Sequence, residues 1–109
     1  MARWPGWTRE SRPGDKLAGS WRHQRSGWRV RHCGHPTAIW PYHAEDERGR
    51  LVVHASGRGF RNLAQALGAV EQFHAGQVVL VQPEAGPFRI VSRSEAGRIV
   101  QRAAQQELF

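Results

Sequence analysis

Apolar and polar side chains begin to alternate at Trp28, and do not alternate before it. Trp28, Val30 and His32 point one way and Arg29, Arg31 and Cys33 the other, the two-residue period of a strand with one covered face. Such a chain has to build a sheet, and a sheet with one apolar face needs a layer packed on it. Residues 1–27 instead scatter Pro5, Pro13, Gly6, Gly14, Gly19 and Gly27 among charges, with neither strand nor helix period. The expectation is a disordered arm over 1–27 and a single domain over 28–109, since 109 residues fit one core but not two.

Further patterns give the element order. Gly34-His35-Pro36-Thr37 is a turn, and Ile39 to Ala44 is a second strand in which Pro41 requires an edge, a bulge or a start at Tyr42. The tip Glu45-Asp46-Glu47 reads as a solvated turn into a third strand, Leu51 to Ala55. Leu63, Leu67, Val70 and His74 recur at helical spacing between an Asn62 N-cap and Gly76. Val78 to Gln82 is apolar enough for a central strand, and a hairpin loop at 83–87 leads to Phe88 to Val91. Ser92-Arg93-Ser94-Glu95 fits a capping box, ahead of a helix with Ala96, Ile99, Val100, Ala103 and Glu107 on one track. The predicted fold is α+β: a two-layer sandwich in the order β-β-β-α-β-β-α, its antiparallel sheet carrying both helices on one face, preceded by the flexible arm.

Sixteen Lys and Arg against nine Asp and Glu leave a net charge of +7, which favours an anionic partner. Lys16 is the only lysine, and an arginine excess beside abundant Ala, Gly and Val is also what a GC-rich genome encodes, so charge counts for less than its size. Arg3, Arg9, Arg12, Lys16, Arg22 and Arg25 against Glu10 and Asp15 place +4 of the charge on the arm. A free basic segment neutralises phosphates and releases counterions, giving affinity without sequence preference. The expected nucleic-acid contacts, to DNA or RNA, are those six cations, Arg29 and Arg31 on the first strand, and Arg58 and Arg61 on the glycine-rich approach to the helix. Ser56-Gly57-Arg58-Gly59 lacks the glycine spacing and lysine of a nucleotide loop and by itself reads as a turn. Trp40 and Tyr42 either share an exposed face with Arg29 and Arg31 as a stacking platform or join Trp28 in the core, the register deciding and the shortage of other large residues favouring the core. Trp4, Trp7 and Trp21 are candidate docking anchors for a protein partner, or else cap the chain's own core.

Reactive chemistry has little support. His32, Cys33, His35, His43 and His54 could suggest zinc, but neighbours on a strand point apart and no C-x-x-C or H-x-x-x-H spacing occurs. Ordinary hydrogen-bonded imidazoles and a buried thiol are expected, with no metal and no cofactor. Cys33 with His35 or His43 as base lacks a third, orienting group, so no catalysis is expected. A lone cysteine excludes an intrachain disulfide. The start shows no apolar leader, and Val78-Val79-Leu80-Val81 is far too short to span a bilayer, so a cytoplasmic protein without membrane contact is the expectation.

The block Trp28-Arg29-Val30-Arg31-His32-Cys33-Gly34-His35-Pro36-Thr37-Ala38-Ile39-Trp40-Pro41-Tyr42 resembles segments of small phage- and prophage-type proteins. The resemblance implies a mobile-element setting, where small proteins bind DNA or block a host enzyme. A triple-stranded sheet followed by a helix is also similar in topology to the sheet-reading DNA-binding domains of phage integrases. The first functional expectation is therefore a non-catalytic nucleic-acid-binding protein whose arm contacts phosphates. The alternative is a protein-interaction or inhibitor protein of a phage or mobile element, with a zinc-binding module behind both.

Overall fold

The computed structural model describes residues 4–10, 20–82 and 86–98. Among the described residues seven short strands make one mixed sheet: β1 (Trp7–Glu10), β2 (Ser20–His23), β3 (Arg29–His32), β4 (Tyr42–Glu45), β5 (Leu51–His54), β6 (Val78–Val81) and β7 (Phe88–Ser92). The helix α1 (Leu63–His74) joins β5 to β6, and residues 93–98 are helical. The strand order is β1-β2-β3-β4-β5-β7-β6, with β5 and β7 parallel and every other neighbouring pair antiparallel.

This sheet overturns the expected two-layer sandwich in three ways. The segment read as a flexible arm supplies the first two strands: Trp7 pairs opposite His23 and Trp21 opposite Val30, so the hairpin extends the later meander. β6, read as central, is the edge strand, because β7 turns back between it and β5. Helices are a minor part: α1 packs on β3, β4 and β6, and of the expected second helix only 93–98 falls within the described residues. Ile99, Val100, Ala103 and Glu107 lie outside them, as do Arg3, Arg12 and Lys16.

Register explains where the core forms. Cross-strand partners share a face, so Trp21, Val30, Ala44, Val52 and Phe88 form one continuous row across β2, β3, β4, β5 and β7. Leu67 and Val70 of α1, with Phe60, close over that row. Trp28 stacks on Phe73 with ring centroids 4.8 Å apart and donates its indole N–H to Glu47 at 2.8 Å. Trp7 donates its own to Glu71 at 2.8 Å. Trp7 and Trp28 are thus buried without orphaning their polar atoms, which would otherwise be costly, whereas the Trp21 indole nitrogen is buried without a partner among the described residues.

Local signals behave as their chemistry demands. The Asn62 side chain accepts from the Gln65 N–H at 2.8 Å, and past the helix end Gly76, at φ 77°, lets its N–H reach the Phe73 carbonyl and that of Gln77 the Gln72 carbonyl. The acidic tip is not the solvated turn expected. Glu45 pairs with Arg31, Glu47 holds Trp28, and buried Asp46 accepts from the backbone N–H groups of Arg48 and Arg50 at 2.9 and 2.8 Å and from the Arg50 side chain. Burial works against the Asp46 charge, but hydrogen bonds from the Arg50 backbone and side chain and from Arg48 hold its carboxyl below the usual range.

Candidate nucleic-acid interface

The stretch between β5 and α1 builds the site. His54 N–H donates to the Arg58 carbonyl at 3.0 Å, folding 54–58 into a tight turn, and Phe60 then exchanges both backbone hydrogen bonds with Tyr42, at 2.6 and 3.2 Å. That bridge presses Gly59 against the Trp40–Tyr42 backbone. A Cβ at Gly59 would stand 2.7 Å from the Tyr42 carbonyl oxygen and closer still to that of Trp40, so only glycine fits. The consequence is a cationic pair around one ring: the guanidinium carbons of Arg58 and Arg61 lie 5.5 and 6.0 Å from the Trp40 centroid.

Trp40 stays 40% exposed and its neighbour Ile39 68%. A cavity of about 250 Å³ opens between Trp40, His54, Ser56, Arg58, Arg61 and Gln65, with no acidic side chain in its wall. Ser56 N–H donates to His54 Nδ1 at 3.1 Å, which makes Nε2 the protonated nitrogen of the neutral ring. Arg61 N–H donates to Gln65 Oε1 at 2.8 Å, tying the cationic loop to the first turn of α1. The arrangement offers a π face, two planar cations and a helix N-terminus free of acidic residues, a combination suited to bases and phosphates.

The other expected contacts are dispersed. Arg29 and Arg31 lie on the sheet face away from α1, and each meets an acid there: Arg29 Nε is 3.4 Å from Glu10 Oε2 and Arg31 Nε 2.6 Å from Glu45 Oε2. His43, opposite Arg31, has its pKa lowered mainly by burial, with Glu45 opposing and Arg31 adding. Arg9 and Arg22 are exposed on the first hairpin and Arg25 in the turn from β2 to β3. Tyr42 packs against the core, its phenol pushed up by burial, while Trp40 pairs with Arg58 and Arg61 and not with Arg29 and Arg31. Trp7 is 5% exposed, and Trp4 and Trp21 pack on the same cluster, so the three arm tryptophans serve this chain's own core.

Sequence reasoning placed Arg58 and Arg61 together but missed Trp40, His54 and Gln65 as their companions. The available signal was Gly59, a second glycine two residues after Gly57 with no helix or strand to break. Among the described residues no three of His, Cys, Asp and Glu converge as metal ligands would. Cys33 is exposed, not the buried thiol expected, and His32 Nδ1 accepts from Gly34 N–H at 2.9 Å. No helix among the described residues is long and apolar enough to cross a membrane. No protein-family model, curated protein or solved structure matches the chain.

Proposed function

We propose that this chain is a non-catalytic nucleic-acid-binding protein that engages its ligand through Trp40, Arg58 and Arg61. The observation that carries the reading is the exposed Trp40 ring with two guanidinium groups within 6.0 Å of its centroid, at the mouth of an acid-free cavity. An aromatic face stacks on any base, contributing about 1–3 kcal/mol per base, and the arginines meet the adjoining phosphates. Arg9 and Arg22 on the first hairpin and Arg25 in the turn from β2 to β3 extend the positive field from fixed positions, which replace the free arm as their carrier. A protein partner anchored by tryptophan is the weaker reading, because Trp40 is the one tryptophan of five outside the core cluster and its immediate neighbours are cations.

Binding of labelled DNA and RNA oligonucleotides, single-stranded and duplex, tests this across a salt series. Trp40→Ala should weaken binding by about tenfold, the loss of one stacked base. Arg58→Ala and Arg61→Ala should each reduce the salt slope by about one. Absence of binding to every oligonucleotide at low ionic strength would end the proposal.

A further inference from the structure

We infer that the ligand is a single strand, and that one unpaired base leaves the stack to enter a second cavity between α1 and β7. The inference rests on the nucleic-acid reading of the Trp40 rim. This second cavity, of about 390 Å³, shares His54 and Gln65 with the first, so the two adjoin, with the cations lining the first. Its size falls in the range of small-ligand sites, roughly 300–1,000 Å³.

The walls differ in kind from the rim. Phe60, Ile90 and Val78 supply apolar surface, α1 contributes Ala64, Gly68 and Ala69, and Gln65, Gln72 and Ser92 bring polar groups to the edge. Gly68 is the informative residue. It sits inside α1 in helical conformation, where glycine is unfavourable relative to alanine, yet a Cβ there would meet nothing within 4 Å. No neighbour among the described residues requires that glycine, whereas an occupant lying flat on the helix backbone would. Gln65 and Gln72 are seven residues apart, two turns, so both amides stand on the face that carries Gly68 and Ala69. Gln65 Oε1 is engaged by Arg61 N–H, which directs its NH2 group to donate elsewhere, and Gln72 offers both a donor and an acceptor. Flat apolar walls flanked by amides suit a heterocycle with hydrogen-bonding edges. A base enters such a cleft edge-first only when unpaired, so a single strand is preferred over a duplex that must first be opened.

The test uses an oligonucleotide carrying one 2-aminopurine, single-stranded and as duplex, titrated with the full chain. Wild type should bind the single strand about tenfold more tightly, a preference of the size one stacked base provides, and should shield the probe from acrylamide quenching. Gly68→Leu, which projects into the cavity, should abolish both the preference and the shielding, and Gly68→Ala, which sets a methyl group where the occupant would lie, should reduce them. Gln72 is exposed, so Gln72→Ala should keep the fold and lose part of the shielding, and it decides the matter if Gly68→Leu does not fold. Equal affinity for both forms, or shielding intact in folded Gly68→Leu or in Gln72→Ala, overturns this inference and leaves the Trp40 site standing. Failure of wild type to bind either form overturns both.

Discussion

A methyl group at Gly59 would have to displace either the Trp40–Tyr42 backbone or the turn that carries Arg58. Both are pinned by the paired hydrogen bonds between Tyr42 and Phe60, so little relaxation is open to them. Gly59→Ala is therefore expected to destabilise the fold by about 1–3 kcal/mol, the usual cost of overpacking. It should also weaken oligonucleotide binding, although position 59 offers no side chain to the ligand. Urea unfolding and binding measured on the same samples check this, and full stability with full affinity contradicts it. Features set by adjacent residues were legible at this scale. Asn62 and Gly76 were readable as helix ends because capping involves only the next few positions. The Trp40 pairing was not, because it depends on a bridge between residues 42 and 60 that no local period announces.

The hairpin of β1 and β2 is locked to α1 by a polar knot around the buried His23. His23 lies 4.9 Å from the Trp7 ring and 4.8 Å from that of His74, with Nε2 3.3 Å from Glu71 and Nδ1 2.8 Å from Ser26 Oγ. Burial lowers the His23 pKa, Glu71 opposes that, and His74 and Arg25 reinforce it. The folded-state value therefore lies below the unfolded one of about 6.5, so the neutral ring's contribution is complete above the unfolded value and is lost progressively as pH falls from there through the folded one. His43 is shifted the same way, largely by burial. The urea midpoint should accordingly drop on acidification from about pH 7.5 to about pH 5.5, and His23→Gln should flatten the slope in part, with His43 supplying the rest. A midpoint that holds steady or rises on acidification contradicts the assignment. The hairpin itself escaped sequence reading because each strand has four residues, leaving only Trp7 and Arg9, or Trp21 and His23, on the core-side row. Two inward positions do not make a period, and flanking Pro and Gly read as disorder. β3 and β5 were readable, and so was α1, whose apolar stripe runs through three turns.

Across the whole molecule, what stayed hidden was the order of the strands. Val78–Val81 is apolar at every position, the usual mark of a strand covered on both sides, yet it ends the sheet and all four residues are only half-buried. β7 takes the inner place by pairing parallel to β5 from Val52 to His54, a choice made by contacts far apart in sequence. The two ends of the sheet are consequently unequal. β1 closes one end with Arg9 and Glu10, while β6 closes the other with three valines and a leucine, and among the described residues its outer backbone pairs with no strand. An uncharged, unpaired edge of this kind accepts another strand, including that of a second copy. Light scattering should show association rising with protein concentration, and Val79→Lys should suppress it; scattering independent of concentration in the wild type contradicts this. The self-association expected of a chain with sixteen cations then traces to four aliphatic residues at one end of its sheet.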